Sequence, residues 1–295
     1  MRLLRSHLLI LLLLLASSAA GSLLRTVPEE PSISSGGRGG GGGDALYCDS
    51  WRLSVETNDA GPWTRIPARC IAFVDEYMNG ERYASDSEVI AGEALAFAEA
   101  VEVAGDGKDV WIFDVDETLL SNLPYYAANG YGSQDFNETS FDEWVYLSKA
   151  PALSASLKLY TELQALGFHM VLLTGRAEVQ RNATEQNLLF AGYGSWTQLI
   201  LRIIKEGLAF VHRLDQLIFL LSQFSGICQR AEIRVKHGAS DIGQTAVLYK
   251  SKKRAELLAQ GYRIHGNSGD QWSDLFGSPQ ATRSFKLPNP MYYIS

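Results

Sequence analysis

The sequence predicts an α/β fold: a mainly parallel sheet with helices on both faces and a small cap inserted over one end. Three observations carry this. Short apolar runs, Val110–Phe113, Phe168–Leu173 and Leu199–Leu201, have the character of strands buried on both faces. Segments with apolar residues at helical spacing alternate with them, which implies right-handed βαβ units. The two stronger runs stop abruptly at residues that carry chemistry, as expected at the carboxyl ends of parallel strands.

Residues 1–20 precede the fold. Arg2 and Arg5, the apolar Leu8–Leu15 and then Ser18-Ala19-Ala20 have the order of a secretory signal peptide. That run is well short of the ~20 residues a span requires, so no stable membrane anchor is expected. Residues 21–44 end in a glycine run and read as a flexible linker, leaving 45–295 as the globular domain. Tyr47–Cys70, with Trp51, Pro62 and Trp63, reads as ordered but irregular. Cys48 and Cys70 either close a short loop or stand as buried thiols, with Cys228 the odd cysteine. Asn137 and Asn182 head glycosylation sequons.

Two helices separated by Asn79-Gly80 follow from the apolar spacing of Ile71, Val74, Tyr77 and Met78, then Val89, Ala94, Leu95 and Ala98. They are expected to pack around the first strand. Residues 122–145, rich in aromatics and glycine, read as the cap, with Tyr125, Tyr126 and Trp144 as candidate substrate contacts. Leu153–Leu166 carries a helical apolar stripe and stops at Gly167. A helix over 178–190, a basic helix from Tyr249 to about Gln260 and a fourth strand from Tyr262 complete the alternation. With 295 residues, 46% hydrophobic and 20% charged, the chain suffices for one large domain. Its net charge of −7 argues against nucleic acid as a partner.

The chemistry gathers at element ends. Asp114 and Asp116 follow the first strand at spacing i, i+2. If the strand extends through Asp116, both side chains fall on one side and Val115 on the other. Thr118 lies just beyond. Thr174-Gly175-Arg176 ends the second strand, Lys250 opens the basic helix, and Asp270 and Asp274 follow the fourth strand. Together these supply an anionic cradle for a metal beside a hydroxyl and a cation, a set that suits a phosphate ester.

DVDET, LLTGR, YKS and GDQWSD, in that order, resemble the four motifs of the haloacid dehalogenase superfamily. Within it, YCDSWRLSVETNDAGPW, VWIFDVDETLLSNLPYY and FKLPNPMYYI resemble the plant acid phosphatase and vegetative storage protein family. The resemblance implies a Rossmann-like fold and a Mg²⁺-dependent acid phosphatase acting on small phosphate esters. Asp114 would be the nucleophile and Asp116 the general acid, protonated when substrate binds. The Asp114 carboxylate, the Asp116 carbonyl and Asp270 would hold the metal. Asp274 would join them or orient Lys250 or a bound water. Thr174 and Lys250 would hold the phosphoryl oxygens, with Thr118 and Gly175 beside them, and Arg176 would contact phosphate or pair with a carboxylate. The alternative of a different class is a storage glycoprotein with little catalysis. An extracellular, cell-wall or vacuolar location follows from the leader, and a homodimer is left open.

One block, 203–237, departs from the family pattern, which would run from LILR almost directly into GASDIG. It reads as a helical surface excursion, a partner- or membrane-surface element, or a translated intron.

Overall fold

The computed structural model describes residues 42–203, 241 and 243–295. The expected leader (1–20), nearly all of the linker and all but the first residue of the 203–237 block lie outside these residues. Among the described residues, no helix is long and apolar enough to cross a membrane.

The sheet is parallel throughout. Its strands are β1 (Asp109–Phe113), β2 (His169–Ala177), β3 (Gln198–Arg202), β4 (Arg263–Gly269) and β5 (Arg283–Lys286), in the order β3-β2-β1-β4-β5. β1 is central and buried along its whole length, as its unbroken apolar run requires. Its alternation divides the core. Trp111 and Phe113 pack with Met170 and Leu172 against the helices α3 (Glu81–Glu99) and α6 (Ser154–Ala165). Val110 and Ile112 pack on the other face with Val171, Leu173, Tyr249 and Leu257, the last two from helix α8 (Ala246–Ala259). At Gly266 of β4 the Trp111 indole lies where a Cβ would sit, 2.3 Å from the ring, so only glycine lets the indole cover the strand.

Several elements differ from the sequence-based expectation. The first strand ends at Phe113 and does not run through Asp116. The N-terminal segment is irregular only over 57–67: helix α1 (Gly42–Glu56) begins inside the expected linker, and a disulfide joins its Cys48 to Cys70. Helix α2 (Ile71–Asn79) does not pack on β1. Its Val74, Tyr77 and Met78 join Tyr125, Tyr126 and Met291 beneath the cap, while α3 alone carries Ala94 and Ala98 to the strand. β2 continues through Thr174-Gly175-Arg176, so this motif lies within the strand. β5 was not expected, because its four residues bury only Phe285.

The cap comprises α4 (Leu123–Ala128) and α5 (Glu138–Tyr146). Asn137 is the N-cap of α5, its side chain accepting from the Ser140 amide at 3.0 Å. Asn182, in α7 (Arg181–Phe190), is exposed.

Asp241 N–H donates to the Ile203 carbonyl at 2.9 Å, and Ile203 N–H to the Asp241 carboxylate at 3.1 Å. Ile203, just past β3, and Asp241, a few residues before α8, are thus neighbours.

Two stability predictions arise here. The Cys48–Cys70 bridge closes a loop across 22 positions, for which chain entropy gives about 3 kcal/mol. Replacing both cysteines with serine is expected to lower urea-measured stability by about that amount. At the amino end of β1, Asp109 accepts from Arg263 Nε at 2.7 Å and Nη2 at 2.8 Å, from the Ala104 amide at 2.8 Å, and pairs with His265 at 2.7 Å. These partners, Arg263 foremost, hold its carboxyl well below the usual range despite its burial. A depressed carboxylate contributes stability that is complete above roughly pH 4 and is lost as pH falls through its folded value. Asp109→Asn should therefore cost on the order of 2 kcal/mol at pH 6. It should also flatten the loss of stability between about pH 4 and 2. Melting curves across that range check it; parallel acid slopes for the two proteins would refute the assignment.

Candidate active site

Because the sheet is parallel, the carboxyl ends of β2, β1 and β4 lie side by side, and they bring the expected motifs together. Asp114 follows β1, its amide donating to the Ser268 carbonyl at 3.0 Å. Lys250, on the first turns of α8, reaches Asp114 Oδ1 and Asp274 Oδ1, each at 2.5 Å. Asp114, Asp270 and Asp274 are all buried, and each offers one carboxylate oxygen within 4.8 Å of the others.

The turn after β1 is tighter than an extended strand. Glu117 has φ +51°, and its amide closes back on the Leu120 carbonyl at 2.8 Å. Val115 is buried in the core, while Asp116 still turns towards Asp114's cavity. There Arg176 donates to Asp116 Oδ1 from Nη2 at 2.7 Å and to both its oxygens from Nε at 3.1 Å, and Asn122 Nδ2 donates to Oδ1 at 2.8 Å. Arg176 thus pairs with a carboxylate, the second of the two roles open to it. Burial disfavours the Asp116 anion, but Arg176 outweighs it and holds the carboxyl below its ordinary value. This describes the chain without substrate, whereas the protonated Asp116 expected from the family is the form with substrate bound.

The other candidates fall into place unevenly. Gly175 lines the cavity beside Arg176. Thr174 is fully buried behind it, its hydroxyl accepting from the Arg176 amide at 3.1 Å and keeping its own O–H as a donor. Thr118 is buried, and its hydroxyl donates to Asp270 at 3.3 Å. The Asp116 carboxylate lies outside the three-carboxylate cluster. Asp274 belongs to the cluster and also orients Lys250, so both roles expected of it are compatible with its position.

The cavity, of about 300 Å³, opens between the sheet and the cap. Of the three cap aromatics singled out, Tyr126 lines it; Tyr125 packs against Tyr126 and Phe141, and Trp144 donates to Asn122 Oδ1 at 2.8 Å. Phe136, Phe141 and Tyr292 complete an aromatic side.

Glu117 carried no signal in the sequence. It is buried and accepts from the Asn122 amide at 2.5 Å and from the Tyr292 hydroxyl. Burial, aided by Asp116, raises its carboxyl to about 8. Burial and Asp274 raise Asp270 likewise to about 8. Burial also pushes Asp114 up, against Lys250, which favours its anion. Lys250 itself is held above its ordinary value: burial works against its charge, and Asp114 and Asp274 overcompensate.

Five carboxylates (Asp114, Asp116, Glu117, Asp270 and Asp274) thus converge on two cations, Lys250 and Arg176. Clustered carboxyl oxygens, held mostly out of water, fit a hard divalent cation.

Comparison with known proteins shows the family to which the chain belongs. Residues 37–210 and 226–295 match the family model of the HAD superfamily, subfamily IIIB (acid phosphatase). The match enters the divergent block from both sides, so the departure narrows to 211–225. The chain is 47% identical over 251 residues to acid phosphatase 1 of Solanum lycopersicum, covering 85% of each. It is 40% identical over 248 residues to a stem 28 kDa glycoprotein of Glycine max, covering 84% of each. It is 35% identical over 251 residues to vegetative storage protein 2 of Arabidopsis thaliana, covering 84% of this chain and 80% of that one. The class C acid phosphatase from Bacillus anthracis aligns with a TM-score of 0.45 at 18% identity, over 83% of this chain and 86% of that one. The chain belongs to subfamily IIIB of the HAD superfamily, the acid phosphatases.

Proposed function

We propose that this protein is a secreted, Mg²⁺-dependent acid phosphatase that hydrolyses small phosphate monoesters through an aspartyl-phosphate. The observation that carries the reading is Lys250 bridging Asp114 and Asp274 in a buried three-carboxylate cluster, with Asp116 and Arg176 on the same cavity. Asp114, Asp270 and Asp274 would hold the ion, together with the Asp116 carbonyl implied by the family. Bound there, it would offset the repulsion between an anionic nucleophile and a phosphate dianion.

In the first step an Asp114 oxygen attacks phosphorus as the bond to the leaving oxygen breaks, and that oxygen takes a proton from Asp116. In the second, Asp116 removes a proton from water, whose oxygen attacks the phosphoryl group and regenerates Asp114. Lys250 screens the transferring oxygens, and the Thr174 hydroxyl and neighbouring backbone amides supply donors. Since the resting Asp116 is ionised against Arg176, its acid role draws on a proton taken up at low pH. An incoming dianion that competes for Arg176 would assist that uptake.

Hydrolysis of an aryl phosphate should fall on the order of 10²-fold or more when Mg²⁺ is chelated, and return on adding it back. The rate should be greater at pH 5 than at pH 7. A chelator-insensitive rate would sink the metal assignment. Two relatives named for glycoprotein or storage roles favour storage as the second reading. The intact Asp114 supports competence for catalysis, and measured turnover decides between the two.

A further inference from the structure

We infer that the C-terminal segment 286–294 completes the metal cradle as a strap, with Asn289 positioning Asp270 and Glu56 anchoring Asn289. The inference rests on the reading of Asp114, Asp270 and Asp274 as ligands of a divalent cation.

The three cluster carboxylates are held differently. Asp114 and Asp274 share Lys250, whereas no ion pair among the described residues involves Asp270. Asp270 is oriented by neutral donors. Asn289 Nδ2 and Gln271 Nε2 each donate to its Oδ2 at 2.7 Å, and Thr118 donates to Oδ1 at the longer 3.3 Å. Two amides occupy Oδ2, so Oδ1 keeps the spare lone pair for a cation. A neutral partner suits this task, because a lysine or arginine there would cancel the charge that attracts the metal.

Asn289 is itself fixed from three directions. It is 1% exposed. Its amide donates to Glu56 Oε1 at 2.9 Å, its Oδ1 accepts from the Met291 amide at 2.9 Å, and it is flanked by Pro288 and Pro290. Glu56, at the end of α1, also accepts from Lys286 Nζ at 2.7 Å, and its carbonyl accepts from Trp272 Nε1 at 3.2 Å. Beyond Asn289 the strap continues over the site. Tyr292 stacks on Tyr126 at 5.0 Å and donates to Glu117, and Ile294 N–H reaches Gln271 Oε1 at 3.0 Å. The Met291 carbonyl presses on Gly132 of the cap, where a Cβ would come within 1.7 Å. The disulfide-tied N-terminal helix therefore acts on the site through Glu56, although the Glu56 side chain does not line the cavity.

The test is calorimetric titration of MgCl₂ into the full chain without substrate, for wild type, Asn289→Ala and Glu56→Ala, each checked for folding by thermal unfolding in chelator. Asn289→Ala should bind Mg²⁺ about tenfold more weakly. Glu56→Ala should move in the same direction by less. Turnover in both should recover at saturating Mg²⁺, since neither residue touches a reacting atom. Unchanged affinity in folded Asn289→Ala overturns the inference; if that variant does not fold, unchanged affinity in Glu56→Ala does so. Wild type that binds no Mg²⁺ overturns the metal assignment as well, so the two failures are told apart.

Discussion

Asp114→Asn should lower turnover of any phosphate monoester by on the order of 10⁴-fold or more while leaving the fold intact. The amide is nearly isosteric, so the packing beside Ser268 and Lys250 is preserved, but it cannot form an acyl phosphate. Protein quenched in acid during turnover should carry phosphate in the wild type and none in the variant. The same substitution should raise stability in chelator. It removes one of the two buried carboxylates that share Lys250, in a cluster that also holds Asp270, and Lys250 keeps Asp274 at 2.5 Å. A site built for a cation stores like-charge repulsion without one, and replacing a repelled group relieves it. Equal rates for wild type and Asp114→Asn would remove the nucleophile from the mechanism. A melting temperature that falls in chelator would show instead that Lys250 depends on both partners.

The parts of the site legible in the sequence are those that parallel topology lines up. Asp114 follows β1, Thr174-Gly175-Arg176 lies in β2 and Asp270 follows β4, three adjacent strands, and Lys250 belongs to the helix leading into β4. Apolar run followed by chemistry is a pattern that survives without knowledge of contacts. Glu117 did not survive it. Period-2 alternation from Asp114 would turn both Val115 and Glu117 away from the cavity, and only the turn at φ +51° brings Glu117 against Asn122 and Tyr292. Asn289 was hidden for another reason. Leu287–Pro290 has no periodicity, and its role comes from one side-chain amide reaching across the fold. Helix α1 was obscured because its first residues are glycines with poor helical propensity; burial of Val55 and the Cys48–Cys70 bridge help to hold it. The divergent block precedes Lys250 in the sequence. Ile203 pairs with Asp241 before α8, and Lys250 reaches both Asp114 and Asp274.

Asp116→Asn should separate the two halves of the reaction. As acid, Asp116 matters in proportion to the basicity of the leaving oxygen, so alkyl phosphates should lose about 10²–10⁴-fold. Aryl phosphates with acidic phenols should lose far less in the first step, because the phenolate departs without a proton. The second step has no such escape: water must be activated whatever the leaving group was. With an activated aryl substrate the variant should therefore release one equivalent of phenol in a burst and accumulate phosphorylated Asp114, followed by slow turnover. The fold should tolerate the change at a cost of about 1–3 kcal/mol, since the new amide oxygen still accepts from Arg176 but leaves that buried guanidinium without its counter-charge. Because Arg176 holds the wild-type carboxyl below its ordinary value, its protonated fraction falls steadily as pH rises. The acid preference should thus be steepest for alkyl substrates and shallow for activated aryl ones, and it should vanish from the burst of Asp116→Asn. Rapid-quench kinetics with one alkyl and one activated aryl phosphate decide the matter. An equal loss for both substrates with no burst would place Asp116 outside proton transfer and leave it as the partner that orients Arg176.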